Sequence, residues 1–354
     1  MQLLLPPSIF ILIILQLLTT VNATVPTAID CRNGNGASKV AHTITVNKSG
    51  KPGPGIFNTV QAAIDSIPPN NDQWVKVVIF PGIYKEKVRI PLEKQCIFLE
   101  GEGRHVTTIT CDGHGQTDES ATFTSYPDNV VVKGITFENS YDKQEAARDL
   151  FQAEMAAGDV KRALAARIYG DKSSFYECGF VGFQDTLWDV SGRHYFKNCY
   201  IEGGVDFIWG NGQSIYQDCM INVTIGAFLP QGYKGYITAQ GRESSDEPTG
   251  FLFRRGRVFG SGQTLLGRAY GPYSRVIFQN TILDGVVAPE GWFAWNYQGK
   301  EDQFTYAEVD CGGPGSNTTE RVKWMKKLRP EDLNLFSTAS FINQDRWLNR
   351  LPLR

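Results

Sequence analysis

Two aspartates in this chain hold matching places in a repeat. Asp185 follows Cys178 by seven residues, and Asp206 follows Cys199 by seven. If the two cysteines stack on neighbouring turns of a coiled chain, the carboxylates stack too, about 5 Å apart. Carboxyl groups that close do not both ionise freely, and one pKa rises. The protonated member can serve as a general acid while the other remains an anionic nucleophile. The spacing alone also suits a pair of turn aspartates that cap loops.

The cysteines belong to a longer series. Ser174-Phe175-Tyr176-Glu177-Cys178-Gly179-Phe180, Tyr195-Phe196-Lys197-Asn198-Cys199-Tyr200-Ile201 and Ile215-Tyr216-Gln217-Asp218-Cys219-Met220-Ile221 share one pattern, with the cysteines 21 and 20 residues apart. Phe251 to Val258 and Val276 to Leu283 resemble them. Earlier β-rich runs, VKVVIF, CIFLEG, TTITC and VVVKGITFEN, are separated by Gly and Asn. A period of this length with several short strands is one turn of a parallel β-helix. No long helix is expected between the repeats, and no series of two-residue hairpin turns favours a sandwich. The fold class expected is therefore all-β.

Outside the coil, Phe57 to Ile67 carries apolar residues at helical spacing and stops at Pro68-Pro69. Arg321 to Phe336 reads as one or two C-terminal helices broken near Pro330 and packed outside. Residues 1–23 read as a signal peptide. The apolar stretch from Ile9 to Leu18 is too short to span a bilayer, and Val21-Asn22-Ala23 is a small-x-small cleavage pattern. Residues 24–42 read as a flexible leader, and 43–354 as one catalytic domain. Asn47, Asn222 and Asn317 begin N-x-S/T triplets, which in a secreted chain are glycosylation sites on surface loops. Seven cysteines leave at least one outside any internal disulfide. A net charge of -2 gives no sign of a nucleic-acid partner, and no later segment is apolar enough to span a membrane.

At the paired aspartates the chain resembles the plant pectin methylesterases. Gly182-Phe183-Gln184-Asp185-Thr186-Leu187-Trp188 is similar to their GYQDTLY motif. Gly204-Val205-Asp206-Phe207-Ile208-Trp209-Gly210 is similar to VDFIFG, and Leu266-Gly267-Arg268-Ala269-Tyr270 to LGRPW. Gly82-Ile83-Tyr84-Lys85-Glu86 matches GxYxE, and Pro289-Glu290-Gly291-Trp292 with Trp295 fits a further block. The motifs run in family order from about Thr43 to the C-terminus.

The resemblance implies a right-handed coil, secretion to the cell wall and hydrolysis of pectin methyl esters. It makes Asp206 the nucleophile, Asp185 the acid and later base, Gln184 an oxyanion donor, and Arg268 the cation that keeps Asp206 ionised. Tyr270 and Trp188 would stack on sugar faces, and Thr117 matches a substrate-contacting threonine. No cofactor or metal is implied. The partners implied are pectin and a proteinaceous methylesterase inhibitor, with the chain a monomer of the form without an inhibitor-like pro-region.

Two departures stand out. The family's QAVALR block is Arg162 to Arg167 here, so Arg162 replaces a substrate-contacting glutamine; LGRPW ends in Tyr270, which keeps an aromatic wall. A fixed charge at Arg162 would help an oxyanion or bind free carboxylates, and would also favour ionised Asp185. Arginine is also long enough to turn into solvent, and a pectin-binding chain with little turnover is the alternative it leaves open. Serine-esterase and zinc-protease signatures are absent, and the aspartate pair offers no evident calcium site for a lyase.

Overall fold

The computed structural model describes Cys31 and residues 39–141, 143–156 and 162–353. The signal-peptide segment and most of the leader lie outside the described residues.

Short strands form three parallel sheets, one of eleven strands and two of eight. Successive strands pass from sheet to sheet, and each pairs with the strand one turn earlier and one turn later. One turn comprises Ser173–Tyr176, Gly179–Val181 and Leu187–Asp189; the next comprises Arg193–Lys197, Tyr200–Gly203 and Val205–Gly210. This is a right-handed parallel β-helix, the sense that parallel crossovers adopt.

The repeat seen in sequence is the repeat of the coil. Tyr200 N–H donates to the Cys178 carbonyl, Met220 to Cys199 and Arg257 to Cys219, each at 2.8–3.0 Å. The three cysteines therefore stack, and all are buried. The residue before each, Glu177, Asn198 or Asp218, has φ of 54–57°. That left-handed residue turns the chain into the next sheet, and Asn and Asp adopt it at least cost.

Inside the coil an aromatic column runs Phe175, Phe196, Tyr216, Phe253, Phe278, with ring centroids 4.4–5.0 Å apart. This follows from strands stacked in register, since like positions fall above one another at the inter-strand spacing. The Tyr216 hydroxyl donates to Asp189 at 2.7 Å, and Asp189 also meets His194 Nδ1 at 2.5 Å. His194 Nε2 lies 2.9 Å from the Gly170 carbonyl. These three polar side chains are fully buried and partner one another.

The N-terminal helix is Val60–Asp65, shorter than the apolar spacing suggests. Glu86 accepts from the backbone N–H of Val60 and of Gln61, each at 2.9 Å, satisfying donors exposed at the helix start. The GxYxE signature is thus a structural device: its glutamate caps a helix, and Tyr84 donates to the Phe80 carbonyl at 2.9 Å.

Four expectations need correction. A helix of fourteen residues, Lys143–Ala156, is inserted between Thr136–Asn139 and Ala166–Ile168, although no long helix was expected in the coil. Residues 321–329 are not helical. Arg321 is buried against Glu308, and Lys326 bridges the strand Thr305–Val309, so this stretch is held by the coil instead. Helix starts at Pro330, where a missing N–H costs nothing, and Pro330–Leu335 and Thr338–Phe341 follow. The third correction is to the leader. The first strand is Val40–Val46, and Cys31 is disulfide-bonded to Cys96, so part of the leader is tied to the coil. The fourth concerns the glycosylation triplets. Asn222 lies in the strand Met220–Val223, not in a loop, and its amide donates to Tyr200 and Glu202. Asn317 is exposed after a 3-10 turn.

The C-terminal helices pack outside the coil as expected. Phe336, Phe341 and Trp347 cover Phe98, Val131, Ile215, Leu252 and Ile277 on the outer face of the eleven-stranded sheet.

Candidate active site

Parallel register brings the two aspartates together. Gln184 pairs with Val205, and Leu187 with Ile208, so Asp185 lies opposite Asp206 on the adjoining turn. Both have left-handed backbones, with φ of 58° and 47°. Such a conformation costs a non-glycine residue on the order of 1 kcal/mol and interrupts strand alternation. The pairing of the Asp206 strand with the next turn is also interrupted. Val205 opposes Tyr236 and Ile208 opposes Thr238, leaving one extra residue on the Asp206 side. A bulge of this kind re-aims a side chain at the edge of a cleft.

Arg268 comes from the strand Gln263–Ala269, two turns beyond Asp206. Its Nε lies 2.9 and 3.1 Å from the two Asp206 oxygens, and its Nη2 lies 2.5 Å from Oδ2. This fork holds a carboxylate in one orientation and favours its charge. The guanidinium lies 3.8 Å from the Trp295 ring centre and 4.3 Å from that of Tyr236. Burial disfavours the Arg268 charge, and Asp206 more than restores it, so its pKa stands above the ordinary value. Any side chain at Gly267 would meet Thr238 Oγ1 at 2.2 Å, so the glycine of this motif lets the strands approach.

Asp185 is set differently. No group among the described residues donates a hydrogen bond to its carboxyl; the nearest cation is Arg162, with Nε 3.5 Å from Oδ2. Burial, and then the Asp206 charge, pushes Asp185 up to about 8, against the pull of Arg162 and Arg268. The pair is thus unequal: Asp185 is pushed toward its protonated form, while Asp206 sits in the arginine fork that favours its charge. Beside them, the buried Gln184 side chain leaves its amide oxygen without a hydrogen-bond partner among the described residues.

These groups open onto a cleft of about 960 Å3 that is lined by all eight residues singled out in the sequence. Arg162 turns into it. The Gly115 N–H donates to the Arg162 carbonyl at 3.1 Å, which sets Arg162 beside the short helix Thr117–Ser120. Trp188 stacks on Trp209 with ring centres 4.3 Å apart, and Tyr270 is 48% exposed at the rim.

Sequence reasoning gave no role to Trp209, Trp295, Tyr236 or Leu150. Trp209 stands one turn after Trp188 in register, and that spacing could have found it. Leu150 comes from the inserted helix, which no repeat signals.

A coil that presents two carboxylates, one clamped by arginine, in an open cleft has the parts of a carboxylic ester hydrolase. The chain belongs to the pectinesterase family, whose profile matches residues 43–345. It is 49% identical over 311 residues to probable pectinesterase 55 of Arabidopsis thaliana, covering 88% of this chain and 91% of that one. It is 36% identical to pectinesterase QRT1 of the same plant, over 88% of this chain and 80% of the relative. The carrot pectin methylesterase structure superposes with a TM-score of 0.76 at 29% identity, covering 90% of this chain and 97% of that one.

Proposed function

We propose that this protein hydrolyses the methyl esters of cell-wall pectin by a two-aspartate mechanism. The observation that carries the reading is the unequal pair: Asp206 forked by Arg268, and Asp185 held protonated one turn away.

Asp206 attacks the ester carbonyl, and charge gathers on the carbonyl oxygen. The Gln184 amide supplies an N–H to that oxygen, and Arg162 adds a second donor and a positive charge. The tetrahedral intermediate collapses, the ester C–O bond breaks, and Asp185 gives its proton to the departing methoxide. Methanol leaves an acyl-enzyme on Asp206. Asp185, now ionised, takes a proton from water, which attacks the acyl carbon. The free carboxylate departs, and Asp206 returns to the Arg268 fork while Asp185 is again protonated. Trp188 and Tyr270 offer apolar faces to sugar rings, and Thr117 a hydroxyl to the chain.

The same reading includes export through residues 1–23, a glycan on at least one of Asn47 and Asn317, a monomeric enzyme, and a cleft open to a proteinaceous inhibitor. Purified mature protein on highly esterified pectin tests it. Methanol and new carboxylates should appear one for one; absence of methanol would overturn the reading, and unsaturated products would indicate a lyase.

A further inference from the structure

Arg268 reaches Asp206 only by crossing the turn that lies between them. Its strand, Gln263–Ala269, pairs with Lys234–Gln240 on one side and with Trp292–Phe293 on the other. Lys234–Gln240 in turn pairs with Val205–Gly210, which carries Asp206. Each neighbouring turn sets an aromatic ring against the guanidinium. Tyr236 comes from the intervening strand, with its ring centre 4.3 Å from the guanidinium carbon. Trp295 follows the strand on the other side, at 3.8 Å. Both distances lie within the range of a cation–π contact.

Both rings are held. Tyr236 stands opposite Val205, at the bulge beside Asp206, and its N–H donates to the Gly204 carbonyl at 3.2 Å. Its ring stacks on Phe293 with 6.1 Å between centres, and Phe293 is the strand partner of Arg268. Trp295 has φ of 49°, a left-handed conformation that a bulky residue keeps only where its surroundings hold it. The Arg268 side chain is 13% exposed, and Asp206 is its single ion-pair partner among the described residues. A second carboxylate would divide the charge of Arg268. Ring faces attract the guanidinium through a quadrupole and leave its full charge, with its Nε and Nη2 donors, to Asp206.

We propose that Tyr236 is a positioning residue: its ring, together with that of Trp295, keeps the Arg268 guanidinium in the place from which it forks Asp206. The proposal rests on the two-aspartate reading above and adds a residue that acts through Arg268. The need is greatest at the acyl-enzyme. An esterified Asp206 carries no charge, so Arg268 is left nearly buried without its counterion. The rings then supply the attraction that keeps the guanidinium from turning to solvent, and the fork is in place when the acyl group leaves. Losing the Tyr236 ring therefore slows turnover more than it weakens substrate binding. It also loosens the fork in the free enzyme, which makes Asp206 easier to protonate. Asp185 faces the same pair, with Arg162 beside it, and neither is altered by a change at Tyr236.

Methanol kinetics and an NMR signal test this together. Tyr236→Leu should lower kcat about tenfold, the scale of one desolvated cation–π contact, with KM within about twofold. The acid limb of its kcat/KM profile should move to higher pH, since that limb is the protonation of Asp206. Tyr236→Phe keeps the ring and should restore kcat to within about threefold of the unaltered chain. In an Arg268→Lys background, Tyr236→Leu should cost less than about threefold, because the fork is already gone. The Arg268 Nε–H resonance, assigned by its loss in Arg268→Lys, should shift in Tyr236→Leu and stay in place in Tyr236→Phe. Where Tyr236→Leu does not fold, Tyr236→Met is read in its stead. Three results would each overturn the proposal: a raised KM with kcat unchanged, equal losses in Tyr236→Phe and Tyr236→Leu, or the same loss in both Arg268 backgrounds. Failure of the unaltered chain to release methanol would instead strike the catalytic reading, and the resonance would still report on the rings and Arg268.

Discussion

Asp185 and Asp189 stand four residues apart and are both buried, yet they are provided for in opposite ways. Asp189 points into the coil, where Tyr216 and His194 both meet it. Asp185 points into the cleft with no hydrogen-bond donor, on a left-handed backbone, beside a second carboxylate. The first has the partners that make a buried carboxylate tolerable, and the second lacks them. A carboxyl left short of partners keeps its proton, and that proton is what the reaction spends. Satisfaction marks a structural group here, and its absence marks a reacting one.

The comparison is broken or sharpened most strongly by Asp185→Asn. Methanol release should fall about a thousandfold or more, since the leaving group loses its acid and the water its base. Stability should move the other way. The folded pKa near 8 stands above the unfolded value of about 3.9, so the folded chain holds a proton that the unfolded chain has released between those pH values. Stability is therefore lost as pH rises from about 4 to about 8. Asparagine needs no proton, so the variant should melt at or above the unaltered chain at pH 7, with the gain vanishing near pH 4. A lower melting temperature at pH 7 would count against the contrast.

Arg268→Lys should follow, with kcat down about a hundredfold. An ammonium keeps the charge and loses the fork that orients Asp206. His194→Ala tests the other side of the comparison. Burial pushes the His194 imidazole down while Asp189 and the Gly170 carbonyl more than restore it, so its pKa is raised. Removing it strands Asp189, at a cost of about 3–5 kcal/mol in denaturant unfolding. Turnover per folded molecule should change far less than in Asp185→Asn. A loss of turnover without a loss of stability would make His194 part of the reaction.

The smallest effect expected is from Arg162→Gln. Arg162 lowers the Asp185 pKa, so its removal should move the alkaline limb of the kcat–pH profile upward. Superimposable profiles would take Arg162 out of the electrostatics of the site.

What was legible in the sequence follows from what the coil repeats. Cys178, Cys199 and Cys219 recur because each turn has the same corner, and the seven-residue step from cysteine to aspartate survived into the structure as register. Arg268 was found through its motif, since nothing in the spacing says that its side chain reaches back two turns. The contrast between Asp185 and Asp189 was not legible. Both are aspartates near a strand, and what separates them is His194 and Tyr216, brought in by later turns. The helix Lys143–Ala156 was missed because it interrupts the repeat and leaves no trace in its period. The helical reading of residues 321–329 failed because a buried Arg321–Glu308 pair holds that stretch to the coil.

The central claim is that Asp206 is the attacking group. Its most direct test is methanol release from highly esterified pectin by Asp206→Asn beside the unaltered chain, with circular dichroism and melting temperature showing that both are folded. The account predicts a loss of about a thousandfold or more, because a neutral amide neither attacks the ester nor forms the acyl-enzyme. A folded Asp206→Asn protein that keeps more than about a tenth of the methanol release would contradict it.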